Sequence, residues 1–156
     1  MSYLFIALLF SARPVDPTAL ETLDLALERS AVVRTLIETL ERSNVVVHIQ
    51  SSGDLPIGLR GATRFVVSRG GYRYLRITIR AQLPRELRVA ILAHELQHAS
   101  EIAGSPADDV MALRQLFQQC GMRDGNYFET RAAQRIEDLV RAELKTALAG
   151  PYRPSQ

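Results

Sequence analysis

The residues of this chain best suited to chemistry are 94–98, which have the sequence HELQH. On a helix, residues four apart lie on the same face, so His94 and His98 could bind one metal ion. Glu95 would then lie beside an open coordination position, where a carboxylate can take a proton from water. The motif favours a zinc-dependent hydrolase in which Glu95 activates a zinc-bound water. The alternative is a pair of buried histidines bonded to backbone carbonyls, with a glutamate on the surface.

The segment around this motif is predicted to form a buried helix over residues 83–104. Pro84 and Glu86 suit its first turn, and Gly104 is a plausible stop. Apolar residues are spread around nearly the whole circumference, which is typical of a central helix. Polar side chains inside such a helix need partners, because an unpaired buried polar group costs about 2–7 kcal/mol.

A catalytic zinc site also needs a third protein ligand. Glu129 is the candidate that we favour, because it falls on the apolar stripe of a predicted helix over residues 127–148, where a charge needs a partner. As an alternative, Glu129 could be the capping-box partner of Asn126. Glu101 is less suitable as a ligand, since it lies about 10 Å along the axis from His94, and we expect it to pair with a ligand instead. The third histidine, His48, is predicted to be an ordinary strand residue.

Together, HELQH at 94–98 and YFETRAA at 127–133 resemble the gluzincin branch of zinc metallopeptidases, in the small form called minigluzincins. The resemblance implies a zincin-like fold with a central motif helix, Zn²⁺ held by His94, His98 and Glu129, and Glu95 as the catalytic base. Such proteins often have an acidic residue four positions after the third ligand. Here that position is Ala133, so the role of orienting a histidine is expected either to be unfilled or to move to Glu101, Asp108 or Asp109. Tyr127 could donate a hydrogen bond to the developing oxyanion, with packing as the alternative.

The remaining pattern predicts an α+β fold with a small antiparallel three-stranded sheet packed on helices. Residues 18–30, 31–42 and 106–120 have helical periodicity, and residues 45–50, 63–68 and 72–80 alternate as strands. Gly70 and Gly71 suit a hairpin between the last two strands. Cys120 is expected to pack near the end of its helix. We expect a single zincin-like domain over residues 1–156, with residues 150–156 as a loose tail.

The N-terminal residues 3–10 form an apolar run, for which a buried strand and a remnant of an export signal stay equally open. The run is too short to span a bilayer as a helix, and no longer apolar segment follows. Cytoplasmic and exported locations therefore both stay open, and no membrane span is expected.

Arginines are concentrated between residues 60 and 88, where eight of them (60, 64, 69, 73, 76, 80, 85 and 88) accompany one acid, Glu86. This segment could be a cationic binding surface or a solvated sheet face partly paired with acids of the terminal helices. In zincins a sheet edge near the metal helix binds extended peptide, so the resemblance implies such an edge here. Residues 72–80 are our candidate, with Arg76 and Arg80 favouring acidic substrate side chains.

Two function classes follow from these patterns. The first is a small zinc metallopeptidase acting on a peptide or protein substrate. The second is a zinc-stabilised or catalytically degenerate binding module with a basic face for an acidic partner. The formal net charge of +2 at pH 7 is modest, so a nucleic-acid partner is not expected. The sequence does not indicate an oligomeric state.

Overall fold

The computed structural model describes residues 11–120, 122–124 and 127–148, with side chains for residues 11–119 and 129–146. The predictions for residues 3–10, the tail 150–156, Asn126 and the side chains of Cys120 and Tyr127 therefore lie outside the described residues. In chain order the elements are β1 (Ala12–Pro14), α1 (Pro17–Arg29), α2 (Ala31–Glu41), β2 (Val45–Ser52), β3 (Gly61–Arg69), β4 (Tyr72–Arg80), α3 (Arg85–Ala103), α4 (Val110–Cys120), β5 (Met122–Asp124), β6 (Tyr127–Glu129) and α5 (Arg131–Leu148).

The main sheet has four strands in the order β1-β2-β4-β3, so the α+β class is confirmed but the three-stranded antiparallel sheet is wrong. β2 is parallel to both β1 and β4, and only β3 and β4 are antiparallel. β1 was not predicted, because a segment of three residues that ends in proline is too short to show alternation of apolar and polar residues. Its parallel pairing follows from the helices α1 and α2, which carry the chain back before β2 begins.

The edge strand beside the motif helix is β3, and not β4 as predicted. β4 is hydrogen-bonded on both sides, to β2 and to β3. The chain leaves β2 through residues 53–60, forms β3 on the outside, and returns through the Gly70–Gly71 turn as the inner strand. Both turn glycines have positive φ, 61° and 81°, as a tight hairpin turn requires. β2 and β3, which follow each other in the chain, are therefore not adjacent in the sheet.

The helices pack on one face of this sheet around α3. The core joins inward-facing residues of the strands, such as Val47, Ile49 and Leu75, to apolar residues of α1, α2 and α3. Eleven of the residues of α3 are buried, which confirms the prediction of a central helix over this segment. Hydrophobic residues lie on all sides of α3 because the sheet, α1, α2 and α5 all pack against it.

Among the described residues, no helix has both the length and the apolar character needed to cross a membrane.

Two predicted helices begin later than expected. α4 starts at Val110 and not at residue 106, and Asp109 accepts a hydrogen bond from the Ala112 amide at its first turn. α5 starts at Arg131 and not at residue 127. The Thr130 hydroxyl accepts from the amide of Ala133 at 3.1 Å, which is the geometry of an N-cap. Glu129 therefore precedes the helix and does not occupy position N3, as the capping-box alternative required.

Several arginines of the basic segment stabilise the fold. Arg80 donates to three carbonyls of the loop after β2, those of Leu55, Pro56 and Leu59. Arg88 donates to Glu21 of α1 at 2.8 Å, and Glu21 also pairs with Arg85. These pairings match the expectation that the basic segment is partly neutralised by acids of the terminal helices.

Arg73 is the most deeply integrated of these cations. Its side chain is buried and points to the same side of β4 as the core residues. The guanidinium donates to the carbonyls of residues 102, 103, 105 and 107, which follow or end α3. It also donates twice to the Asn44 side chain. Arg73 therefore joins the C-terminal end of the motif helix to the sheet.

Replacing Arg73 with methionine should destabilise the fold by about 3 kcal/mol or more, because several buried carbonyls would lose their donor. The free energy of unfolding, measured by urea denaturation, tests this. Arg76→Met is the matched control on the same strand, since Arg76 is exposed, and it should change stability by less than about 0.5 kcal/mol. Equal effects of the two substitutions would contradict the assigned role of Arg73.

Candidate metal centre

Helix α3 carries three polar side chains in its buried middle, at His94, Glu95 and His98. Their exposed fractions are 8%, 6% and 6%. The two imidazoles are four residues apart and lie on the same helix face, with ring centroids 5.0 Å apart. Because the helix is surrounded by packing partners, these side chains face other protein groups or a cleft.

The structure brings Glu129 together with both histidines. Its Oε1 lies 3.0 Å from His94 Nε2 and 3.6 Å from His98 Nε2. One ligand atom from each of the three residues falls within 4.8 Å of the others, so this group could hold a metal ion. A tetrahedral zinc with bonds of about 2.0 Å would set its ligand atoms about 3.3 Å apart, which the observed separations bracket. Two imidazoles and a carboxylate could therefore hold a metal ion here.

The other nitrogen of each imidazole is bound by a carboxylate. His94 Nδ1 lies 3.1 Å from Glu137 Oε2, and His98 Nδ1 lies 3.1 Å from Glu101 Oε2. A carboxylate only accepts, so both Nδ1 atoms donate and both Nε2 atoms face Glu129. Such partners hold the ring orientation of metal-binding histidines. Glu101 thus has the supporting position that we expected, and it lies on the wrong side of the His98 ring to share a metal with Nε2.

Glu137 belongs to a charged network that sequence reasoning missed. Its Oε1 accepts from Arg141 at 2.6 Å and pairs with Arg60 at 3.2 Å. Burial raises the pKa of Glu137, but the hydrogen bonds from His94 and Arg141 and the charge of Arg60 outweigh it and lower the pKa to about 2. Glu137 therefore stays ionised and keeps its hold on the His94 ring.

Negative charge dominates the surroundings of His94. Burial lowers the pKa of this imidazole, but hydrogen bonds to Glu129 and Glu137, together with the charge of Glu95, raise it to about 10. Burial raises the pKa of Glu129, whereas the same His94 contact lowers it, and the net shift is downward. An imidazole in this environment retains a cation at Nε2, whether that cation is a proton or a metal ion.

Glu95 is held by the edge strand. The Thr63 hydroxyl of β3 donates to Glu95 Oε2 at 2.7 Å. Burial raises the pKa of Glu95, while the two histidines and Thr63 oppose that shift only in part. Gly61 faces the other oxygen: a Cβ there would lie 2.9 Å from Glu95 Oε1 and 2.6 Å from Ile91 Cγ2. Close approach of β3 to the helix therefore requires glycine at this position.

Glu129 is positioned by the turn that precedes α5. It ends β6, and its Oε1 accepts from the following amide, that of Thr130, at 2.9 Å. The Thr130 hydroxyl caps α5 and also donates to Glu101 Oε1 at 2.8 Å. Thr130 thus links the carboxylate beside His98 to the segment that carries Glu129. The prediction that Glu129 lies in a helix is wrong, although its proximity to the motif was anticipated.

His94, Glu95, His98 and Glu129 together line one side of a cleft of about 690 Å³. That volume is typical of ligand-binding sites. Residues 61–65 of β3 and the loop 56–59 form other walls of this cleft, and further walls are apolar (Ile102, Val110, Leu113 and Phe117). Phe117 packs edge-on against the His98 ring, with centroids 5.7 Å apart. The three residues of the candidate metal group and Glu95 therefore all line this cleft.

Of the residues that the sequence reasoning missed, Glu137 was the more detectable. It lies four residues after buried Ala133 and three before buried Val140, so it is a charge on the buried stripe of α5. Thr63 had no such signal, because its role depends on which strand reaches α3. The acidic residues 108 and 109 contact neither imidazole among the described residues, and Asp109 caps α4 instead. His48 lies in β2 and takes no part in the metal group, as expected.

Comparison with known protein families, with curated proteins and with solved structures found no match to this chain.

Glu129→Ala, which removes a carboxylate ligand, should weaken Zn²⁺ binding by more than about 100-fold. Loss of an outer partner such as Glu137, in Glu137→Gln, should cost about 10-fold, within the usual range for such partners. Competition with a chromophoric chelator measures both affinities. Glu38→Ala, at an exposed position of α2, is the control and should leave the affinity unchanged. Full Zn²⁺ retention by Glu129→Ala, with loss in Glu101→Ala, would show that Glu101 is the ligand.

Gly61→Ala should destabilise the fold by about 1–3 kcal/mol, because the new methyl group would overlap buried Ile91 and Glu95. Thermal or urea unfolding measures the effect. Gly53→Ala is the matched control, since its methyl group would meet only the end of the exposed Gln82 side chain, which can move aside. If the two variants were equally stable, the close approach of β3 to Glu95 would be refuted.

Proposed function

We propose that this protein is a zinc-dependent hydrolase, and specifically a small metallopeptidase of the gluzincin type. The observation that carries the proposal is the position of Glu95, a buried carboxylate lining the same cleft as the histidines and Glu129. A purely structural metal site has no use for a carboxylate next to an accessible coordination position. The zincin-like character of the fold and zinc as the metal belong to this proposal.

His94, His98 and Glu129 would hold the zinc, and their supporting carboxylates fit that role. Glu137 and Glu101 keep the Nε2 lone pairs of both imidazoles aimed at one point. When bound, zinc supplies a Lewis acid that activates water and polarises a carbonyl group. The excess of carboxylates around the two imidazoles favours a divalent cation at this position.

Glu95 acts as the general base and then as the general acid. It takes a proton from the water that attacks the peptide carbonyl and passes it to the amine as the carbon–nitrogen bond breaks. Because Thr63 binds Oε2, we assign the proton transfer to Oε1.

The edge of β3 is the surface that we assign to the peptide backbone. Among the described strands, β3 pairs on one side only, and its residues 61–65 line the cleft. An extended peptide can add to such an edge through backbone hydrogen bonds. The register shift between Phe65 and Val67 interrupts the regular ladder at one end of this segment. Peptide pairing is therefore assigned to the stretch that faces Glu95.

Glu95→Gln should lower peptide turnover by about 10²–10⁴-fold while Zn²⁺ affinity stays within about threefold of the wild type, since the base is lost and the ligands remain. Cleavage of a broad peptide library by the zinc-loaded protein, analysed by mass spectrometry, measures turnover. Glu38→Gln is the control for removal of a carboxylate. Chelation should abolish cleavage, and added Zn²⁺ should restore it.

Two results would contradict the proposal. Undiminished cleavage by Glu95→Gln would exclude Glu95 as the base. Zn²⁺ binding without cleavage of any library member by the wild type would favour the alternative, a metal-stabilised binding module.

A further inference from the structure

The face of the sheet that is turned away from the helices carries a transverse row of basic side chains. Arg13 of β1 is paired in register with His48 of β2, His48 with Arg76 of β4, and Arg76 with Arg64 of β3. We call Arg13, His48, Arg76 and Arg64 the basic row. With strands about 4.8 Å apart, its ends are about 14 Å apart. All four side chains alternate with residues that enter the core, so they share the outer face.

The charges of Arg64 and Arg76 are not balanced within the sheet. None of the four strands contains an aspartate or a glutamate. Arg64 and Arg76 are exposed, and neither pairs with a carboxylate among the described residues. Like charges directly opposite each other on adjacent strands are unfavourable. Solubility alone would be served by alternating signs, so the placement of Arg76 directly opposite Arg64 is better explained by an anionic occupant.

The basic row ends at the edge that we assign to peptide. Arg64 is adjacent to Thr63, which binds Glu95, and it also lines the cleft. Side chains alternate between the two faces of a strand. A peptide strand added to β3 would therefore turn alternate side chains towards the outer face, and the one paired with Arg64 would continue the basic row.

We propose that the substrate is a peptide with an acidic side chain at the position that pairs with Arg64, and that Arg64 and Arg76 bind this side chain. This inference rests on the proposed function, which assigns a peptide strand to the edge of β3. Electrostatic attraction between exposed charges is screened over about 8 Å at physiological salt. The two arginines nearest to the bound peptide therefore contribute most to binding its acidic side chain. This assignment replaces the earlier one to Arg76 and Arg80, because Arg80 is engaged by loop carbonyls.

An acidic peptide explains the row better than a nucleic acid does. The row runs across the strands and contains only three arginines, whereas a nucleic-acid strand needs a longer track of cations along its backbone. Three other arginines of the basic segment, Arg73, Arg80 and Arg88, donate into the protein and do not extend the row. Charge is therefore concentrated where one substrate side chain would lie.

Binding to the zinc-loaded Glu95→Gln protein separates this inference from catalysis. The probes are fluorescein-labelled, end-blocked decapeptides of neutral sequence, in which one glutamate, one glutamine or one lysine is moved through each position. We expect one position at which glutamate binds about fivefold tighter than glutamine by fluorescence anisotropy, as expected for a small cluster of exposed ion pairs. The preference should fall as salt is raised. It should invert towards lysine when Arg64→Glu and Arg76→Glu are combined.

Arg135→Glu combined with Arg131→Glu is the matched control, since these exposed arginines of α5 give the same change in net charge. The control should keep the glutamate preference. Equal binding of glutamate and glutamine peptides at every position would contradict this inference alone, and failure of every peptide to bind would contradict the proposed function as well. Tighter binding of a ten-nucleotide oligothymidylate, lost on reversal of Arg64 and Arg76, would overturn the peptide assignment in favour of a nucleic acid.

Discussion

The structure around the cleft depends on one constraint: two imidazoles and a carboxylate are placed inside a helix that is buried on nearly all sides. Buried charged and polar groups persist only when each is paired. Glu137 and Glu101 meet that requirement for His94 and His98, and they do so on the Nδ1 atoms. The consequence is that both Nε2 atoms are left to face Glu129. The geometry of the metal group is thus set by residues that do not belong to it.

This arrangement also explains why three separate elements are tied to α3. β3 reaches it through the bond from Thr63 to Glu95, and α5 reaches it through Glu137. The turn before α5 is joined to it by the bond from Thr130 to Glu101. Each connection is a polar contact that would be costly to leave unmade in a buried environment. Packing of the fold and orientation of the site are therefore achieved by the same contacts.

β3 lies at the edge of the sheet, where its residues face α3 on the inner side and contribute Arg64 to the basic row on the outer side. On the inner face, alternate residues of β3 approach α3, and Gly61 allows the strand to come close to Glu95. On the outer face, the intervening residues place Arg64 in line with Arg76 and His48. A strand that pairs with β3 would present its own side chains alternately to both faces. Catalysis at Glu95 and recognition by Arg64 would then act on adjacent residues of the bound peptide.

The amino-acid sequence by itself determined the local features. The spacing of His94 and His98, the apolar character around them and the two-residue alternation of β2 and β4 each depend on neighbours within a few residues, so they can be recognised without the fold. Only the tertiary structure decided that β3 lies at the edge, that β1 joins the sheet, and that Glu137 and Thr63 reach α3. Those contacts join residues more than 30 positions apart in the chain. Such contacts depend on the path of the loop after β2 and on the packing of α5 against α3, and no local periodicity encodes either of these.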